Sequence, residues 1–366
     1  MKQQVLVTGG AGFVGSHVVD ALVADGHGVR VLDSLDEHAH GATPAYLNPE
    51  AEYIWSDLAD AALLDRCLEG ATAVSHQAAM VGMGVDFDDA VDYVRHNALG
   101  TATLLRTLHR RRFGGRLVLA SSMVVYGEGD YRCPRDGLVR PCPRSEGDLR
   151  RGMFEPSCPR CGARLEASSV VESSTLDPRS VYAATKLHQE HLCFAFGRSD
   201  NVAVAALRYH NIYGPRMPRD TPYAGVASVF RSALERGRPP SVFEDGRQRR
   251  DFVHVRDVAD ANVIALTRDE PAAGPFNIAS GVPHTVGEMA EALARAFGPG
   301  APTPRVCGSF RTEDVRHVFA SAGLAASRLG FRAKVQFEDG MREFARSPLR
   351  AAARAPAHGL TSTTTR

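Results

Sequence analysis

Tyr182 and Lys186 fall four residues apart in Tyr182-Ala183-Ala184-Thr185-Lys186, which sets both on one face of a helix expected over 181–196. A phenol titrates near ~10 and is a poor base at neutral pH. A neighbouring ammonium and the positive charge of an oxidised nicotinamide both favour the phenolate and lower that value. Ser122 follows an apolar run at 117–120, and its hydroxyl can hydrogen-bond a substrate oxygen as the proton leaves. Together the three make an oxidising apparatus, in which Tyr182 takes a hydroxyl proton while hydride departs to a nicotinamide. Lys186 can also hold the nicotinamide ribose. By itself Tyr-x-x-x-Lys equally describes an ordinary surface pair, so the reading needs a cofactor site elsewhere in the chain.

Residues 5–15, VLVTGGAGFVG, supply one. Val5, Leu6 and Val7 form a short buried strand, Thr8-Gly9-Gly10 breaks it, and helical periodicity runs from Phe13 and Val14 to Leu22. The glycines Gly9, Gly12 and Gly15 have the spacing of a dinucleotide pyrophosphate loop. Gly9 permits the tight turn, Gly12 offers no side chain against the phosphates, and Gly15 allows close helix–strand packing. The helix N-terminus adds unpaired N–H groups and its positive dipole end. Asp33 ends the next apolar run, where a carboxylate suits a ribose with both hydroxyls free and repels a 2′-phosphate. No Arg follows it closely, so the cofactor is read as NAD.

The elements that must hold these residues are legible over most of the chain. At 366 residues it can bury a large core, and 43 Lys+Arg against 42 Asp+Glu give a net charge of +1. That balance calls for neither nucleic acid nor an anionic membrane. No apolar run reaches the ~18 residues of a membrane span, and the first strand begins too early to leave room for a signal peptide. A cytoplasmic protein is expected. Strands at 53–55, 73–76, 117–120 and 202–207 alternate with helices at 61–68, 91–108 and 181–196. The pattern is α/β: a Rossmann-type doubly wound parallel sheet over 1–208, rejoined by 251–281. A smaller C-terminal α/β substrate lobe is expected from 209–250 and 282–346, including helices at 224–235 and 285–297, and a disordered tail from 347–366. Gly100, inside the helix 91–108, is read as a point of close packing.

Residues 128–176 interrupt the alternation with Pro, Arg, Gly and Cys. Cys133, Cys142, Cys158 and Cys161 crowd into 29 residues, spaced C-x8-C-x15-C-x2-C. Cys158-Pro159-Arg160-Cys161-Gly162 is half of a zinc ribbon, its turn presenting two thiolates to one tetrahedral ion. A structural zinc ion held by the four cysteines is the leading reading. An unstructured basic loop with incidental cysteines and a redox dithiol are the alternatives. Since the segment joins the Ser122 strand to the Tyr182 helix, it is expected beside the substrate pocket as a lid or specificity element.

Over roughly residues 3–345 the chain resembles the extended short-chain dehydrogenase/reductase family, and within it the nucleotide-sugar epimerases and dehydratases. The resemblance lies in TGGAGFVG at 8–15, HQAA at 76–79, NALGT at 97–101, SSMVVYG at 121–127 and YAATK at 182–186. It continues in RYHNIYGP at 208–215, RRDFVHVRDV at 249–258 and FNIASG at 276–281. It implies that Asp57, Leu58, Gln77, Ala78, Ala79 and Asn97 line the cofactor, with Asp57 near the adenine. It also places Met80, Asn211, Arg250, Arg311 and Asp314 at the substrate, the two arginines on its diphosphate. Glu313 stands where relatives carry Gly, and His210 where they carry Phe. A homodimer built on the helices 91–108 and 181–196 is implied as well.

Dehydratases of that group carry Asp-Glu after the hydroxyl residue, and decarboxylases a Glu. Met123 and Val124 occupy those positions here and can move no proton. What remains suffices to oxidise C4 of a nucleotide-linked sugar, turn the keto-sugar over and return the hydride to its other face, a 4-epimerisation. A reductase that releases its cofactor uses the same residues. A non-enzymatic NAD-sensing relative usually lacks the Tyr or the Lys, and both are present. The insertion, with LRRGMFEPSCPRCGARL at 149–165, resembles that of bacterial dTDP-L-rhamnose 4-epimerases, with UDP-glucose or UDP-glucuronate 4-epimerases the alternative.

Overall fold

A computed structural model describes residues 2–37, 39–82, 87–219 and 225–350. The expected helix start at Ala224, the end of the loop at Pro222 and the tail 351–366 lie outside the described residues. Seven strands form one parallel sheet in the order Gly274–Ile278, Ala203–Tyr209, Arg116–Ser122, Ala73–His76, Gln4–Thr8, Gly28–Asp33 and Glu52–Trp55. The order reverses between Gln4–Thr8 and Ala73–His76, and ligands of such sheets bind beyond the strand ends at that reversal.

The first strand shows why its apolar run is unbroken. Val5 and Val7 face Val18, Val19 and Leu22 of helix Phe13–Ala24 and Val258 of helix Val255–Thr267. Leu6, pointing the other way, meets Leu64, Leu104 and Leu117. A strand covered on both faces needs no polar alternation.

The helix carrying Tyr182 spans Val181–Asp200, one turn beyond expectation. Ser180 caps it by accepting from the Ala183 N–H at 3.2 Å, and Asn201 ends it in the left-handed conformation, φ 55°. The helix expected over 91–108 is a composite of Ala90–Tyr93, a π-helical stretch Val94–Leu99, and Gly100–Arg110. A Cβ on Gly100 would meet the Leu58 side chain at 3.4 Å and Arg95 O at 3.8 Å, ordinary contact distances, so no close backbone approach explains that glycine.

The smaller lobe holds the sheet of Asn211–Tyr213, Arg249–His254 and Pro283–Thr285. Its separate core contains Phe230, Leu234, Met289, Leu293 and Phe344. Of residues 251–281, the helix Val255–Thr267 and the strand Gly274–Ile278 join the large unit, whereas Arg249–His254 belongs to the small sheet. Ser347–Arg350, the start of the expected disordered tail, is packed. The Arg350 N–H donates to Met217 O at 2.9 Å, and Leu349 is buried in the small-lobe core.

The insertion is folded. Gly137–Val139, Asp130–Cys133 and Glu166–Ser168 form an antiparallel sheet over a small core of Tyr131, Cys133, Val139, Cys158 and Leu165. Among the described residues no helix is long and apolar enough to cross a membrane.

Candidate active site

At the strand ends lies one cavity of about 800 Å³. Its dinucleotide half is shaped by missing side chains. Gly9 has φ +70°, and a Cβ there would strike the Ala78 backbone N at 2.6 Å. A Cβ on Gly15 would lie 2.1 Å from Gly9 O, and one on Gly12 3.2 Å from the same oxygen. Helix Phe13–Ala24 can therefore begin directly against the turn, with its free N–H groups toward the cavity wall that Phe13 and Val14 also line. Asp33 is fixed at the rim, its two oxygens accepting from the Ala11 and Leu35 N–H groups, each at 2.9 Å. Each oxygen keeps a lone pair for a ribose hydroxyl. These glycines and this carboxylate fit NAD.

Asp57, Leu58, Gln77, Ala78, Ala79 and Met80 also line the cavity. The Gln77 side chain is engaged elsewhere: Nε2 donates to Ser75 and Asn262, both at 2.9 Å, and Oε1 accepts from Tyr209. Asn97 does not reach the cavity. It is fully buried in the π-helical stretch, where Oδ1 accepts from Met80 N at 2.8 Å and Nδ2 donates to Met80 O and Thr185, each at 3.0 Å. It ties the helix to the segment that passes the cofactor, a positioning part in place of a contact. Periodicity cannot reveal a π turn, and π turns gather at functional sites.

Ser122, Tyr182 and Lys186 converge on the other half of the cavity. Burial pushes the Tyr182 phenol up to about 12, with the neighbouring Ser122 acting against that rise. Burial brings the Lys186 ammonium down to about 8, which leaves it mostly charged at neutral pH. Its Nζ donates to Ala120 O at 2.9 Å and lies 6.0 Å from the Tyr182 ring centre. Behind them a bidentate pair joins Arg208 to Glu190 at 2.9 and 2.8 Å, and Ser121 donates to the same carboxylate. Glu190 stands two turns along the Tyr182 helix, and its carboxylate ties that helix to Ser121 in the strand bearing Ser122 and to Arg208 in the neighbouring strand Ala203–Tyr209. Met123 and Val124 form the turn after Ser122 and bring no titratable group to the cavity.

Asn211 lines the substrate half with an unpartnered Oδ1. Beside it His210 is 3 % exposed, with both ring nitrogens unpartnered, and burial holds it neutral by lowering its pKa to about 3. Arg250, Arg311 and Asp314 are not brought to the cavity, contrary to the expectation from their motifs. The Arg250 guanidinium donates to the carbonyls of Arg249, Arg316 and Val315 at 2.8, 3.0 and 2.6 Å. Arg311 is exposed over the Phe243 ring at 5.7 Å. Asp314 closes a turn on Arg311 O, and its own carbonyl accepts from Arg144. Besides Lys186, two arginines do line the cavity among the described residues, Arg95 and Arg350. Arg95 lies in the helix that the sequence located without showing which of its residues face inward. Arg350 lies in a stretch whose composition carries no periodic signal.

No described residue of 128–176 lines the cavity, so the insertion is not placed as its lid. Cys133, Cys158 and Cys161 do converge, but with Asp136 as the fourth member. Cys142 is exposed and outside the group.

The NAD dependent epimerase/dehydratase family profile matches residues 5–146 and 154–279, the break falling inside the insertion. The dTDP-L-rhamnose 4-epimerase of Burkholderia thailandensis is 32% identical over 347 residues, covering 93% of each chain. A putative UDP-glucose 4-epimerase of Methanocaldococcus jannaschii is 28% identical and covers 92% of this chain and 96% of that one. Among solved structures, the Thermus thermophilus UDP-glucose 4-epimerase with NAD superposes with a TM-score of 0.73 at 30% identity, covering 93% of this chain and 97% of that one. MoeE5 with UDP-glucuronic acid and NAD gives 0.73 at 31% over the same shares. With the glycine loop, Asp33 and the Ser–Tyr–Lys group around one cavity, the chain belongs to the NAD-dependent epimerase/dehydratase family and is an NAD-dependent nucleotide-sugar epimerase.

Proposed function

We propose that the chain is a dTDP-L-rhamnose 4-epimerase, inverting C4 of a dTDP-linked 6-deoxysugar by transient oxidation. The observation that carries the reaction type is the convergence of Ser122, Tyr182 and Lys186 on a dinucleotide cavity, with Met123 and Val124 where other chemistries need proton carriers. NAD, when bound, supplies the hydride acceptor and donor. Ser122 orients the C4 hydroxyl, and Tyr182 takes its proton as the C4–H leaves as hydride. The positive charge of an oxidised nicotinamide would, when bound, favour the phenolate against the rise that burial imposes, while Lys186 would hold the nicotinamide ribose. The keto-sugar turns over within the cavity, hydride returns to the opposite face, and Tyr182 gives the proton back, so no net redox change occurs. Asn211 and neutral His210 supply hydrogen-bonding capacity on the substrate side.

The choice of sugar rests on the Burkholderia relative and on the resemblance of the insertion. UDP-glucose or UDP-glucuronate is the second reading, favoured by the names of the other relatives and structures. Purified protein without added cofactor, given a panel of dTDP- and UDP-sugars and followed by proton NMR, should convert dTDP-L-rhamnose to its C4 epimer. Turnover of a UDP-sugar alone would transfer the assignment, and turnover only with added NAD(P)H would make the protein a ketoreductase.

The same reading makes the protein a cytoplasmic homodimer and gives its insertion a structural zinc ion. Phe87, Val91 and Val94 are 81, 75 and 51 % exposed at helical spacing along one face, an apolar stripe suited to a second copy. Val91→Asp is expected to shift the protein toward monomer in light-scattering chromatography. An unchanged dimer would remove this face from the interface.

A further inference from the structure

Deepening that zinc reading, and resting on it, we infer that the ion is held by Cys133, Asp136, Cys158 and Cys161, and that it braces the insertion against the segment carrying Arg316. The four ligand atoms all lie within 4.8 Å of one another. Cys133 Sγ is 3.4 Å from Cys161 Sγ and 3.4 Å from Asp136 Oδ2, and Cys158 Sγ is 3.2 Å from that oxygen. Tetrahedral Zn²⁺, with bonds of about 2.3 Å to sulfur and 2.0–2.2 Å to oxygen, sets its ligand atoms about 3.5–3.8 Å apart. The thiols and carboxylate therefore already stand close to the edges of such a tetrahedron.

The backbone around them is built for the same purpose. Cys158 N donates to Ala163 O at 2.8 Å and Gly162 N to Cys158 O at 2.9 Å, with Gly162 at φ +70°. This closes a tight loop that turns two thiols the same way. The N–H groups of Arg135 and Arg160 point at the sulfurs of Cys133 and Cys158, at 3.4 and 3.5 Å, the backbone support that orients ligand sulfurs around a metal. Cys133-Pro134-Arg135-Asp136 has the same two-residue gap as Cys158-Pro159-Arg160-Cys161. The two halves of the site are thus alike, with a carboxylate in place of one thiol. Three thiolates select a soft, tetrahedral divalent cation over magnesium or calcium.

The ion has a mechanical task. The small core of the insertion is too limited to fold the segment unaided. Three residues before Cys158, Glu155 Oε1 accepts from Arg316 Nε and a terminal nitrogen at 2.9 and 2.6 Å, and Oε2 contacts His317 Nε2 at 3.0 Å. Arg316 has no exposed surface and is also paired with Glu244 and Asp245 of the small lobe, each at 2.7 Å. The carbonyls of Val315 and Arg316 hold the Arg250 guanidinium. A rigid knuckle at 158–161 thus holds Glu155 in register with a buried arginine that has acidic partners on both sides.

Metal content by atomic emission, thiol counts after denaturation, and hydrogen exchange on the full chain test both parts. Wild type is expected to carry about one Zn²⁺ per chain and seven titratable thiols. Cys142→Ser should keep the ion, whereas Cys158→Ser and Asp136→Ala lose it; Asp136→Cys, which restores a ligand, should regain it. Retention by Asp136→Ala with loss from Cys142→Ser would overturn the ligand set while leaving the zinc reading standing. A metal-free wild type, or two missing thiols from a disulfide, would overturn both. Chelation should speed exchange at 315–317 but not at Val5–Val7, and Glu155→Gln should speed it with zinc retained. Unchanged exchange at 315–317 after zinc removal would overturn the brace.

Discussion

At the residue scale, the central group is the Tyr182 phenol. Burial pushes it up to about 12 before any cofactor is present, so its use as a base depends on charges brought beside it. Tyr182→Phe is expected to lower kcat by ~10²–10⁴-fold, with an unchanged circular dichroism spectrum and NAD content. A variant turning over at the wild-type rate would remove Tyr182 from the proton transfer. The residues legible from sequence were those whose type answers a local geometric demand. Gly9 and Gly15 are needed where a Cβ would strike backbone, and Tyr182 and Lys186 share a helix face. Arg250 and Arg311 were placed by motif alone. Long cationic side chains reach several acceptors, and these found backbone carbonyls and an aromatic ring instead of the cavity. Asp136 was passed over because cysteine spacing draws attention to thiols, although its two-residue gap from Cys133 repeats that of Cys158 and Cys161.

At the scale of elements, the strand Arg116–Ser122 and the helix Val181–Asp200 must stay in register for Ser122 to meet Tyr182. Ser121 joins them by donating to Glu190, which Arg208 of the adjacent strand holds in place; Arg208 also donates to Tyr126 OH at 2.9 Å, and that hydroxyl donates to Asn277 at 2.7 Å. Glu190→Ala leaves a buried guanidinium uncompensated and is expected to cost about 3–5 kcal/mol, read as a lower denaturant midpoint with an unchanged slope. A loss under 1 kcal/mol would show that the clamp is not needed. The inner strands of the large sheet were announced by apolar runs, because both of their faces are covered, whereas the edge strand Glu52–Trp55 is only half-buried. The π stretch Val94–Leu99 and the three short strands of the insertion were not. One inserted residue in a helical turn leaves the apolar period almost unchanged, and polar strands of three or four residues are too short to show alternation.

At the scale of the whole molecule, burial sets the response to acid. His76, His210 and His254 are held neutral with values lowered to about 3, and His17 to about 4, desolvation being the largest cause in each. The unfolded chain binds protons at these positions from about pH 6.5 downward and the folded chain does not. Their contribution to stability is therefore present above pH 6.5 and lost as pH falls toward 3–4, at about 1.4 kcal/mol per pH unit for each. Asp251, raised to about 6 by burial, acts in the opposite sense and offsets one of the four over part of that range. The melting temperature should fall steeply between pH 6 and 4, and replacing His76 by Gln should flatten the slope; a flat profile would contradict neutral burial. The overall α/β plan was readable because covered strands and amphipathic helices repeat in order. The docking of the insertion on the small lobe, and of Ser347–Arg350 beside Met217, was not, since each depends on partners remote in sequence.

The central claim is that C4 is oxidised and reduced by one hydride that never leaves the site. It is tested most directly with dTDP-L-rhamnose carrying deuterium at C4, turned over in ordinary water with no added cofactor and followed by NMR and mass spectrometry. The product is expected to be inverted at C4 and to keep the deuterium there. Loss of the label to solvent would contradict it and place proton abstraction from carbon at the centre of the chemistry.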